Sequence, residues 1–139
     1  MWGKILKVLC EKAEGKDLYF LEADKDLSWF GVPVSKICAD VDPDTPTKEI
    51  IESIKAGLEP VSPGKFIAFL NPLSPFADIY PADRPRYRDR NNPERPFLIT
   101  PNSLRVGFFD SVEEAANLFL EVSKALRRSE GIKFDVVYT

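Results

Sequence analysis

The clearest periodicity in the chain joins Ala115, Phe119, Val122 and Leu126, which recur at the spacing of one helix face. Ser111 and Glu114 precede this run as a capping box, in which each side chain satisfies a free backbone N–H at the helix start. Arg127 and Arg128 fall at the negative end of the helix dipole, and Gly131 closes the helix. A second helix is predicted from near Thr45, with Pro46 at its first position. Ile50, Ile51, Ile54 and Leu58 lie on one face, and Gly57 and Pro60 stop it.

Strand patterns fill the rest. Residues 65–70 alternate Phe66, Ala68 and Leu70 against Ile67 and Phe69, so both faces are apolar, as in a central strand. Residues 97–100 and 104–109 read as a hairpin around a Pro-Asn-Ser turn, and residues 132–139 read as a final strand. Residues 4–23 admit two readings. One is a hairpin with strands 4–12 and 18–23; the other is a helix whose face is Ile5, Leu6, Leu9 and Ala13, capped by Gly15. The hairpin is the preferred expectation. Between Trp29 and Val34, Gly31 and Pro33 argue against a long regular element.

This order predicts a single α+β domain over residues 1–139. It would be a two-layer sandwich with a mainly antiparallel sheet of five to six strands and two helices on one face. A ferredoxin-like βαββαβ core with added strands is the first expectation for its topology. The 139 residues suffice to bury a core without a metal or disulfide.

Composition removes several kinds of chemistry. Histidine is absent, and with it the usual general base and the commonest metal ligand. An enzyme would have to rest on Asp, Glu, Tyr, Lys or Arg, and no pair of these has a diagnostic spacing. Cys10 and Cys38 have no metal or redox spacing, and their apolar surroundings predict two reduced, buried thiols, with a disulfide as the alternative. The first 15 residues are too short and too charged in their apolar run for a signal peptide or a spanning helix, so a soluble, cytoplasmic protein without membrane contact is expected.

Three local patterns resemble sites and are better explained otherwise. Asp40, Asp42 and Asp44 alternate like cation ligands, but the glycine and glutamate positions of a calcium loop hold Thr45 and Ile51, and acids ahead of a helix favour its dipole. The Ser62–Lys65 turn lacks the glycine spacing of a phosphate loop and leads into a strand. Trp2, Trp29 and Phe30 are candidate surface anchors, although aromatic residues more often join the core. No cofactor or metal is therefore expected.

The charge distribution singles out one segment. Nine lysines and fourteen acids make residues 1–83 net −5, whereas eight arginines, two lysines and eight acids make residues 84–139 net +2. Five of the eight arginines fall between Arg84 and Arg95, and nine of the twelve prolines lie between Pro60 and Pro101. Residues 71–96 show no periodicity and read as a long Pro/Arg-rich loop, a feature that in compact domains is usually functional or disordered. Arg84, Arg86, Arg88 and Arg90 alternate, so an extended backbone would present all four on one side.

Three uses of this segment compete. Its arginines could pair with the domain's own acids. They could dock a protein partner or a second copy, with Tyr80, Arg84, Arg86, Tyr87, Arg88, Arg90 and Arg95 as the contact residues. They could bind RNA or another phosphate ligand, which the interleaved Asp83, Asp89 and Glu94 disfavour. The expectation is a non-enzymatic protein-interaction module of the inhibitor, immunity, accessory or assembly kind.

Overall fold

The computed structural model describes residues 2–138. In chain order the elements are α1 (Trp2–Lys12), β1 (Tyr19–Ala23), β2 (Trp29–Pro33), α2 (Val34–Cys38) and α3 (Thr47–Ala56). They continue with β3 (Glu59–Pro60), β4 (Phe66–Asn71), β5 (Phe76–Pro81), β6 (Leu104–Phe109), α4 (Val112–Glu130) and β7 (Asp135–Tyr138). The strands form one sheet in the order β3-β2-β1-β6-β4-β5-β7. Every pairing is antiparallel except β5 with β7. The α+β class stands, with seven strands and four helices; the extra elements are mostly short. Strands β6 and β7, joined through α4, have both β4 and β5 between them, so the sheet order departs from the split βαβ plan of a ferredoxin-like core.

Residues 4–12 are helical and not a strand. Ile5, Leu9 and Ala13 fit either period and Leu6, next to Ile5, fits only the helix; β1 is already paired on both edges, by β2 and β6, which leaves no edge for a further strand. Gly15, at φ 79°, takes the left-handed conformation that ends the turn after α1. The stretch 97–100 is not a regular strand either; only the bridges Ala23–Phe97 and Thr100–Ser103 form there.

Residues 71–96 also differ from expectation. Asn71 Oδ1 accepts the N–H groups of Leu73 and Ser74, and this side-chain turn folds the chain back into β5, fully paired with β4. The long connection is thus residues 82–103.

The helices all bury their apolar sides against one face of the sheet, through residues such as Phe20, Ala68, Ile79 and Val106. Trp2 is fully buried there and donates its indole N–H to Pro101 O at 2.7 Å. In α4, Ser111 Oγ accepts from Glu114 N at 3.1 Å, while the Glu114 carboxylate reaches back to Asp110 N, one residue before the expected partner. Gly131 closes α4 at φ 65°. Helix α3 begins one residue later than expected, with Pro46 as its cap. Asp42 is occupied in the turn before it, accepting from Asp44 N and Thr45 Oγ1. Among the described residues no cluster of three metal-ligating side chains exists.

Cys10 and Cys38 form a disulfide, contrary to the expected free thiols. Helix α2, which the sequence pattern does not reveal, brings Cys38 beside α1, with 5.6 Å between the two Cα atoms. No helix among the described residues is long and apolar enough to cross a membrane.

Candidate functional site

The face of the sheet opposite the helices is also apolar. Leu21, Trp29, Ile67 and Phe69 project from it into a second, smaller cluster. Its cover is the connection 82–103, the arginine-rich segment itself. Two buried charged side chains rise from this face to hold the segment down, Asp78 on β5 and Arg105 on β6, while a third, Glu22 on β1, alternates with Leu21 onto the helix-side face with Phe20 and meets the segment there.

Asp78 lies on the same strand face as Phe76 and Tyr80. Its carboxylate accepts the Tyr87 hydroxyl at 2.7 Å and Arg86 Nη1 at 3.3 Å. Tyr87 has φ 59°, in the left-handed region. Its ring stacks on Phe69 with centroids 4.0 Å apart and planes 14° apart. This positive φ interrupts the extended alternation, so Arg84, Arg86, Arg88 and Arg90 do not form one strip. Burial, reinforced by the Asp78 carboxylate, pushes the Tyr87 phenol up to about 12.

Glu22, 3% exposed, forms an ion pair with Arg95 Nη2 and accepts Ile99 N at 3.3 Å through its other oxygen. The Arg95 guanidinium also lies 4.9 Å from the Phe30 ring centroid. Beside this pair a cavity of about 490 Å³ opens between α3, β3 and the segment, lined by Lys55 and Leu58 among others.

Arg105 is fully buried. It sits between Phe69 and Phe97, 5.3 and 5.2 Å from their centroids. It donates to Tyr87 O at 2.9 Å, Ser103 Oγ at 3.3 Å and Leu98 O at 3.4 Å. Desolvation lowers its pKa, and nearby Tyr80 and Glu22 act in the opposite direction. The sequence gives this residue no distinction, since one arginine in an apolar strand pattern reads as a solvent-facing position. Its one available signal is that strand positions 104–109 are otherwise entirely apolar or glycine.

The seven predicted contact residues therefore divide. Tyr80 is 1% exposed under the Arg86 guanidinium, and burial raises its pKa; it offers no surface to a partner. Arg86, Tyr87 and Arg95 bind the segment to its own sheet, although Tyr87 keeps 44% of its surface exposed. Arg84, Arg88 and Arg90 point outward and are exposed. Arg84 lies 3.7 Å from Asp83, with both side chains about four-fifths in solvent, an arrangement of little energetic weight. Arg88 and Arg90 make no ion pair among the described residues. Asp89 between them is engaged locally, accepting from Asn91 N at 2.9 Å and Asn92 Nδ2 at 3.1 Å.

No family model matches the chain, and no solved structure matches it. An "Uncharacterized protein" of Aquifex aeolicus (strain VF5) is 48% identical over 115 residues, which span 83% of this chain and 92% of that protein. The chain belongs to that protein's family. The kinship covers most of both chains.

Proposed function

We propose that the protein is a non-enzymatic interaction module whose contact surface is the outer side of residues 82–96. The observation that carries this reading is the division of labour within the segment. Arg86, Tyr87 and Arg95 anchor it to Asp78 and Glu22, while Arg84, Arg88 and Arg90 extend into solvent from an anchored base. Anchoring lowers the entropy lost when those guanidinium groups engage a partner, and arginine is suited to paired bonds with carboxylates. The occupant is an acidic protein surface, on another protein or on the net −5 half of a second copy.

An RNA reading has weaker support. Base stacking needs a free aromatic face, and one face of Tyr87 is covered by Phe69 while Tyr80 is buried. A cytoplasmic location remains part of the proposal.

The test is a photo-crosslinking group placed at the exposed Asn91, with the crosslinked partner quantified in Arg84→Ala/Arg88→Ala/Arg90→Ala and in a control Lys7→Ala/Lys48→Ala/Lys124→Ala. Loss of one saturable partner in the first variant and its retention in the second is the expected result. Equal capture by both variants sinks the proposal. An RNA shift whose affinity falls steeply with salt would replace it with the nucleic-acid reading.

A further inference from the structure

The Cys10–Cys38 bond lies at the protein surface. Both residues are half-buried, and their side chains line a cavity of about 330 Å³, together with Ala13, Lys16 and Val34. That space would hold roughly ten waters at ~30 Å³ each, enough for an incoming thiol side chain. Access of this kind separates an exchangeable disulfide from a structural one, which reacts only after the chain opens.

What the bond secures is also local. Helix α2 has five residues, no side-chain cap at Pro33, and two buried side chains, Val34 and Ile37. Most of the main core cluster lies between the sheet and helices α1, α3 and α4, with α2 supplying only Val34 and Ile37. Opening the bond should therefore loosen α2 and the turn after it, leaving the rest folded.

We propose that Cys10–Cys38 is a thiol–disulfide exchange site for a dithiol reductant, opened while the chain stays folded. A thiolate of the dithiol attacks one cysteine sulfur. The S–S bond breaks, and the other cysteine leaves as a thiolate and takes up a proton. The second thiol of the reductant, losing its proton, then attacks the mixed disulfide and releases the first cysteine, which is protonated in turn. Two electrons pass from the dithiol to the protein; the reductant leaves as its own disulfide. Redox state then sets how firmly α2 is tied to α1. This inference is independent of the arginine-rich segment.

The experiment exposes the oxidised protein to dithiothreitol across a urea series below the unfolding transition. Maleimide labelling counts free thiols by mass, and hydrogen exchange follows the reduced form. The proposal requires a reduction rate that barely changes with urea, and faster exchange confined to residues 36–45. A rate that climbs exponentially with urea, in step with global unfolding, overturns it. So does loss of protection in β4 and β6 on reduction, or a purified protein whose two thiols stay free after treatment with diamide.

Discussion

Tyr87 donates its phenolic proton to Asp78 across 2.7 Å, from a backbone conformation that non-glycine residues rarely adopt. The bond gives a buried carboxylate a donor and fixes the middle of an otherwise irregular segment. Replacing Tyr87 by Phe keeps the ring on Phe69 and leaves Asp78 with Arg86 alone. The expected loss is about 1.5–3 kcal/mol, as for a hydrogen bond to a charged group. Urea denaturation of Tyr87→Phe against the parent measures it, and a loss below the error of the fit would show that Asp78 does not depend on this donor.

The same bond makes a pH prediction. The Tyr87 phenol is pushed from 10.0 up to about 12 in the folded protein. Because the folded value is the higher one, the contribution is fully present below pH 10. As pH rises further, the unfolded chain ionises first and stability falls, until the contribution is lost above about 12. Absorbance titration of the phenolate band should find Tyr87 titrating late in the parent. Denaturation midpoints should drop between pH 10 and 12 more steeply in the parent than in Tyr87→Phe. Parallel profiles would refute the assignment.

Arg105 tests whether the segment depends on the sheet beneath it. Lysine at this position keeps the charge but cannot reach Tyr87 O, Leu98 O and Ser103 Oγ together, nor lie flat between Phe69 and Phe97. Arg105→Lys is expected to cost about 2 kcal/mol through buried carbonyls left without donors. It should also raise amide exchange selectively in residues 84–98. Uniform acceleration over the whole chain would mean that Arg105 supports the core in general and not this segment.

How far these features could be read beforehand depended on how local their causes are. Helix α4 was legible because Ser111, Glu114, the apolar repeat and Gly131 all act within a few residues of one another. The period of residues 4–12 gave a weak signal, since Ile5 and Leu9 satisfy both helix and strand and Leu6 alone favours the helix, and the deciding fact is the occupied edges of β1. Strand β5 was hidden by Asp78, a charge at a buried position, compensated by residues that come later in the chain. The importance of the arginine-rich segment was visible in composition. Its partition into anchoring and outward residues was not, because it follows from Glu22 meeting Arg95 and Arg105 meeting Tyr87 in three dimensions.

The pair Glu22–Arg95 should behave differently from Asp83–Arg84, although both join an acid to an arginine. Removing Arg95 leaves a carboxylate that is 3% exposed with Ile99 N as its remaining partner, so Arg95→Ala should cost about 3 kcal/mol. Arg84→Ala removes a pair that water already screens and should stay within about 0.5 kcal/mol. Chemical denaturation of both variants makes the comparison, and similar costs for the two would contradict the anchoring role of Arg95.

The disulfide closes a loop with a sequence separation of 28 residues. Chain-entropy reasoning gives a stabilisation of about 3–4 kcal/mol at 25 °C for a loop of that size, acting through the unfolded chain. Cys10→Ser/Cys38→Ser should therefore lower stability by about that amount under oxidising conditions and fold nonetheless, because α1 buries Ile5, Leu6 and Leu9 without the bond. Adding reductant should lower the parent toward the double variant and leave the variant unchanged. If the parent's denaturation curve is the same with and without reductant, and maleimide counting proves the bond open, the link between α1 and α2 contributes nothing to the fold, and its value would have to lie in exchange alone.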